Sequence, residues 1–221
     1  MTRTSDLIDV LVADATPVRR LRHPATRAAC WLLFAGLVML FVGIAHGVRA
    51  DLALKLHQPL FVTGVVAAMM TGVLAAMAAF IASVPGMSRR WLLLPIPASL
   101  VWVATIGYGC LTNWVSIGPD GMSLGETARC FATLVLVSVP LSVAMLMMLR
   151  YIGRLSPTPV TMTGTLAVAA LTAIALSILH PLDATMMILV WNFGITALFL
   201  WLNGRYGQRL LSWVATADKP V

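Results

Sequence analysis

Six long apolar runs divide this chain, at roughly 28–48, 58–83, 91–111, 128–149, 161–179 and 185–203. A helix needs about 20 apolar residues to cross the hydrocarbon core of a bilayer, and each run comes close to that length or exceeds it. The basic residues between the runs are distributed unevenly. Of the 15 Lys and Arg, twelve lie in alternate segments counted from the N-terminus: Arg3, Arg19, Arg20, Arg22 and Arg27; Arg89 and Arg90; Arg150 and Arg154; Arg205, Arg209 and Lys219. The intervening segments hold only Arg49, Lys55 and Arg129. Basic loops stay on the cytoplasmic side of a membrane. The pattern therefore predicts an all-α bundle of six transmembrane helices with both termini inside. Residues 1–26 form a cytoplasmic N-terminal segment, 27–204 the membrane domain and 205–221 a cytoplasmic tail.

Composition agrees with this layout. With 221 residues, 60% hydrophobic and 10% charged, the chain has no room for a second domain. The net charge of +7 is the positive-inside signal seen as a total. No basic stripe is interleaved with aromatics, so direct nucleic-acid binding is not indicated. Three cysteines are too few for a disulfide scaffold. Residues 1–26 are polar and mixed in charge, and the run after them is too long for the apolar region of a cleavable signal. Ala28-Ala29-Cys30 faintly resembles a lipoprotein cleavage site, but such a site would follow the apolar run rather than precede it. Cys30 thus reads as a membrane-buried structural thiol.

The N-terminal segment predicts a short amphipathic helix. Ser5 is placed to cap it, with Asp6 and Asp9 in the first turn where carboxylates favour the helix dipole. Leu7, Ile8, Leu11 and Val12 share one face, and Val10 lies off that stripe. Pro17 forces the preceding residue out of the α region, after which Arg19, Arg20, Arg22 and Arg27 lead to the membrane. A helix of about ten residues is marginal alone, so its apolar face requires a partner surface. Further along, Gly118-Pro119-Asp120-Gly121 marks a turn in the longest outer loop. Pro140 falls inside the fourth span and is expected to kink it. Gly64, Ala68, Gly72 and Ala76 recur every four residues along the second span, a spacing that suits close helix packing.

Carboxylates are missing from the spans: all eight Asp and Glu fall in loops or tails. Ion-coupled transporters usually require intramembrane ionisable groups, so the composition argues against transport. Asn192, the most polar residue well inside a span, reads as an interhelical hydrogen-bonding group. No HExxH, GxSxG or P-loop is present, and neither an enzyme nor a cofactor is indicated. On the outer face, Cys110 ends the third span and Cys130 opens the fourth, with His46, His57 and His180 at a similar level. Thiolates and imidazoles suit soft or borderline metals, and two thiols in an oxidising compartment can pair. The plainer alternative is that these are packing and interfacial residues.

Two stretches carry a resemblance to a known family. One is the leader Leu7-Ile8-Asp9-Val10-Leu11-Val12-Ala13-Asp14-Ala15-Thr16-Pro17-Val18-Arg19-Arg20-Leu21, followed by Arg27 and Trp31. The other is Gly125-Glu126-Thr127-Ala128-Arg129-Cys130, with His180-Pro181-Leu182-Asp183 and Trp191 beyond it. Together with span number, loop lengths and orientation, they resemble the NrsF-type family of membrane anti-sigma factors. The resemblance implies a bacterial inner-membrane protein that holds an extracytoplasmic-function sigma factor inactive on the cytoplasmic side. It implies that Leu7, Ile8, Leu11, Val12, Arg19 and Arg20 contribute to sigma-factor binding. It also implies release on an envelope-side signal, such as a heavy metal or oxidant, sensed near Cys130. The family pattern has a second cysteine where this chain has His180. Either Cys110 substitutes for that thiol, or the pair has become a Cys130–His180 metal site, or signal sensing differs or is lost; the candidate sensor set is Cys130, His180 and Cys110. The alternative reading is a small multi-pass transporter or channel-like protein.

The charge bias makes a direct prediction. Alkaline phosphatase fused after Gly121 is expected to be active, and fused after Arg154 inactive. The reverse pattern would sink the topology.

Overall fold

A computed structural model of the chain describes residues 12–13, 22–84, 86–113, 124–149 and 157–179, with 194, 197, 198 and 201 as isolated positions; side chains at 109–113, 124–130 and 157–158 are outside the description. Six helices are delimited: α1 (Pro24–His46), the single turn α2 (Leu52–Lys55), α3 (Pro59–Ala82), α4 (Ile96–Asn113), α5 (Leu124–Leu149) and α6 (Pro157–Leu179). A 3₁₀ turn at Arg89–Leu93 precedes α4. Among the described residues there is no strand, and five helical stretches are long and apolar enough to cross a membrane. The all-helical class and these five spans match the sequence expectation. The sixth apolar run falls almost wholly outside the described residues. So does the leader apart from Val12 and Ala13, which are helical, with Val12 exposed.

Proline sets where the helices begin. Pro24 and Pro59 occupy the first turns of α1 and α3, and Pro157 opens α6. Proline's fixed φ fits the first turn, and its missing N–H costs nothing there because those amides have no intrahelical acceptor. At α1 the His23 ring nitrogen Nδ1 accepts from the Ala25 N–H at 3.3 Å. The first helix thus starts four residues ahead of its apolar run, and Arg27 lies inside the span rather than in the segment leading to it. The third run behaves differently. Pro95 and Pro97 remove two amide donors near its start, so residues 89–93 form a 3₁₀ turn and the α-helix begins only at Ile96. Pro140 lies within α5, which continues through it.

Helix α3 is the hub and packs on α1, α4 and α6; α5 packs on α1 and α6. The closest pairing, α3 with α6, runs through small residues. Ala67, Ala68, Thr71, Gly72, Ala75, Ala76 and Ala79 are buried on α3, and Ala167, Ala170, Ala173 and Ala175 are buried on α6. Small side chains let helix backbones approach, so van der Waals contact along both helices holds the pair where no hydrophobic gain separates lipid from protein. A Cβ added at Gly72 would stand 3.0 Å from Leu171 Cδ2 and 3.6 Å from Ala170 Cβ. The repeat of small side chains serves two neighbours, since a Cβ at Gly64 would instead stand 3.2 Å from Thr105 Oγ1 of α4. Larger core residues, among them Trp31, Phe80, Leu141 and Ile174, fill the space between the remaining helices. Leu33, Leu37, Phe41 and Ile44 on α1, and Leu100 and Val101 on α4, face outward, as an apolar solvent permits.

Gly72→Val is expected to lower the thermal midpoint in detergent, because the branched side chain overpacks the α3–α6 seam at a cost of roughly 1–3 kcal/mol. Gly36→Ala, where an added Cβ meets nothing within 4 Å, should be neutral or slightly stabilising. Equal midpoints for the two variants would show that the seam is not close-packed.

Candidate functional site

The last four carbonyls of any α-helix lack an intrahelical donor, and in an apolar medium each one left unmet costs several kcal/mol. In this bundle two arginines, one at each end of α1, serve the ends of other helices. Arg27, only 9% exposed, donates from Nη2 to the Met148 carbonyl in the last turn of α5. Its guanidinium lies 5.1 Å from the centroid of the Phe80 ring on α3, a cation–π geometry that is stronger where water is excluded. The side chain thus joins α1, α3 and α5 at the end where α1 starts. One turn further on, Trp31 is fully buried and its indole N–H donates to the Leu141 carbonyl at 3.2 Å. That acceptor lies just past Pro140. It is not the carbonyl four residues earlier that the proline leaves free.

Arg49 acts at the opposite end. Its backbone N–H donates to Ile178 O at 3.2 Å and its Nη1 to Ser177 O at 3.4 Å, both in the last turn of α6. The rest of the guanidinium forms a two-pronged pair with Asp51, Nε to Oδ1 at 2.7 Å and Nη2 to Oδ2 at 2.6 Å. The planar fork matches the carboxylate, so the geometry is fixed as well as the charge. Arg49 is buried whereas Asp51 is open to solvent on one side. The hydrogen bonds from Arg49 hold the Asp51 carboxyl below its usual range, against a smaller opposing effect of desolvation. Arg49 was one of three exceptions to the charge bias. The ion pair explains it, since a guanidinium paired with a carboxylate carries little net charge.

The residues expected from the sequence are placed as follows. Cys110 lies in the last turn of α4 and Cys130 in the second turn of α5; the side chains of both, and all of His180, lie outside the described residues. Gly164 of α6 faces Met145 of α5, and the two helices run antiparallel. His46 and His57 are exposed near the same end. Among the described residues no group of three His, Cys, Asp or Glu could hold a metal. Of the leader residues, Leu7, Ile8, Leu11, Arg19 and Arg20 lie outside the described residues. Cys30 is exposed on α1, so it does not pack among the helices as a structural thiol would; its place within a candidate span agrees with the expected membrane setting.

The roles of Arg27, Trp31 and Arg49 were not assigned from the sequence. The spacing Arg49-x-Asp51 next to a span end was the available signal for one of them. Arg27, three residues after the helix-initiating Pro24, was the signal for another.

A family model described as negative regulator of sigma F (NrsF) matches residues 11–213. No curated protein and no solved structure matches the chain.

A carboxyl whose folded pKa is depressed contributes stability above its unfolded value, about 3.9 for Asp, and loses it as pH falls through the folded value. The thermal midpoint of the wild type should therefore drop in acid below pH 4 more steeply than that of Asp51→Asn. At neutral pH Arg49→Ala should lose more than Asp51→Asn, because it also strips a donor from the end of α6. Identical pH profiles for wild type and Asp51→Asn would show that the pair does not contribute.

Proposed function

Because the chain belongs to the NrsF family of negative regulators of sigma F, we propose that it is a membrane anti-sigma factor of the bacterial inner membrane. It sequesters an extracytoplasmic-function sigma factor and releases it on an envelope-side signal. The observation that carries this reading is the family match over residues 11–213, which takes in most of the chain, including part of the leader. The five long apolar helices and the positive-inside bias support a membrane location with both termini cytoplasmic. On this topology Arg27 and the leader share the cytoplasmic side, and Arg49, Cys110, Cys130 and His180 share the outer side.

The leader binds the sigma factor as an amphipathic helix in a groove, with Leu7, Ile8, Leu11 and Val12 as the inserted face and Arg19 and Arg20 at its edge. The signal, a heavy metal or an oxidant, acts at Cys130 with His180 or Cys110 as partner. It shifts the balance between two arrangements of the bundle. Helix α1 is the direct connection, since it is joined to the end of α6 through Arg49 and continues towards the leader.

The test is co-purification of a tagged full-length chain with its sigma factor from detergent. The wild type should retain it. Leu7→Asp with Leu11→Asp should release it while membrane insertion persists, because each carboxylate would have to be desolvated in the groove at a cost of several kcal/mol. Cys130→Ser should still bind but no longer release on exposure to thiol-reactive metals or oxidants. Retention by the double leader variant counts against the apolar face, and normal release by Cys130→Ser counts against the sensor.

A further inference from the structure

Arg27 has a binding capacity that the bundle itself does not use. Its Nη2 is engaged by Met148 and its face by Phe80, but Nη1 is buried and meets no hydrogen-bond partner. A buried donor without an acceptor is costly, and more so when it carries charge. No carboxylate compensates that charge among the described residues. Asp51 is engaged by Arg49 at the far end of α1, and Glu126 lies in the first turn of α5, also at that end. The three arginines described near Arg27's end, Arg22, Arg89 and Arg90, are exposed and add to the positive field.

The surroundings suit one kind of anion. Arg27 is the fourth residue of α1, so at 1.5 Å per residue it sits about 5 Å from the start of the helix. In a spanning helix that is the boundary between headgroups and hydrocarbon. The exposed residues that flank it on the helix surface, Thr26 and Cys30, are both small. They leave space on the membrane side of α1 where neighbouring positions further along carry Leu33 and Leu37. Basic pockets between transmembrane helices on the cytoplasmic side bind anionic headgroups, and a guanidinium fork matches phosphate oxygens.

We propose that Arg27 heads a binding site for the phosphate of an anionic phospholipid, lodged at the α1, α3 and α5 ends of the bundle. The inference rests on the proposed topology, in which α1 is a span that starts on the cytoplasmic side, and is independent of the sigma-factor reading. Binding requires Nη1, buried in the free protein, to turn towards the phosphodiester beside Thr26 and Cys30 while Nη2 stays on the Met148 carbonyl. Bound there, the lipid supplies the missing acceptor and the counter-charge together. It also ties the start of α1, and hence the leader's attachment point, to the inner leaflet.

The test uses the full chain, purified in a mild detergent and delipidated, with thermal unfolding as readout. Added phosphatidylglycerol should raise the midpoint by several degrees, and phosphatidylcholine at the same concentration much less. Sodium phosphate alone should have no effect. Arg27→Gln should lose at least half of the phosphatidylglycerol shift, whereas the Arg89→Gln, Arg90→Gln double variant, which removes exposed charge at the same end, should keep it. A full shift in Arg27→Gln, or equal shifts with the two lipids, would overturn the site. An equal shift with sodium phosphate would overturn the lipid as its source. Stabilisation by the bound sigma factor but not by phosphatidylglycerol would assign Arg27 to a protein carboxylate and likewise overturn the proposal. If Arg27→Gln does not fold, lipid extracted from the purified wild type decides: phosphatidylglycerol must be enriched over its share of the parent membrane, and no enrichment refutes the site.

Discussion

A helix end surrounded by apolar groups has carbonyls with nowhere to turn for a donor, and the bundle is arranged around meeting that need. Water would serve these groups in a soluble protein; lipid does not. Arg27 reaches from α1 to the last turn of α5, and Arg49 from the other end of α1 to the last turn of α6. Each is a cation at the negative end of a helix dipole, so the macrodipole favours it as well as the hydrogen bond. The two ends differ in how the charge is balanced. Arg49 has Asp51 in a two-pronged pair, whereas Arg27 has an aromatic face and one unmet N–H.

Between those fixed ends, apart from the Trp31–Leu141 hydrogen bond, the core is held by proximity rather than by polar contacts. The α3–α6 seam is lined by alanines, with Gly72 against Leu171 at its tightest point. Such a seam has no strongly directional bonds across it. Thr71 turns its hydroxyl back to Ala67 O of its own helix at 2.7 Å, and that of the buried Thr172 on α6 meets no partner among the described residues. A close-packed apolar interface of this kind tends to have discrete alternative packings rather than continuous deformation. A regulator that changes state needs such bistability. Helix α1, in contrast, is pinned at both ends to helices that it does not follow in sequence. A displacement at the C-terminal end of α6 is thereby coupled to α1 and so towards the leader, which gives the proposed signal a physical route.

Much of the architecture was present in the sequence because lipid is an undemanding solvent with strict rules. A span must be long, apolar and helical, and five such spans are found where the apolar runs predicted them. The small-residue repeat on α3 marked its packing face, since only close backbone approach gives a four-residue spacing of Gly and Ala a purpose. Departures from the expected boundaries trace to prolines. Pro24 starts α1 early because an N-terminal turn has no amide to lose, and Pro95 and Pro97 delay α4 because in the interior of a helix running from Trp91 they would remove bonded donors, whereas at its start they do not.

What the sequence determined by itself was therefore whatever depends on a single segment: helix, length, apolarity and the sign of its flanking loops. Family membership was also readable there, because the leader and the Gly125–Cys130 element are local strings. Tertiary structure decided which helix ends meet. Arg27 and Arg49 lie 121 and 128 residues in sequence from the carbonyls that their side chains engage, and no periodicity or local motif encodes a contact at that separation. Charge counting saw one arginine as part of the inner cluster and the other as an exception to the rule. Only the packing of α1 against α3, α5 and α6 turned both into caps, because the cost of an unmet carbonyl in an apolar medium is a property of the assembled bundle and not of the helix that carries it.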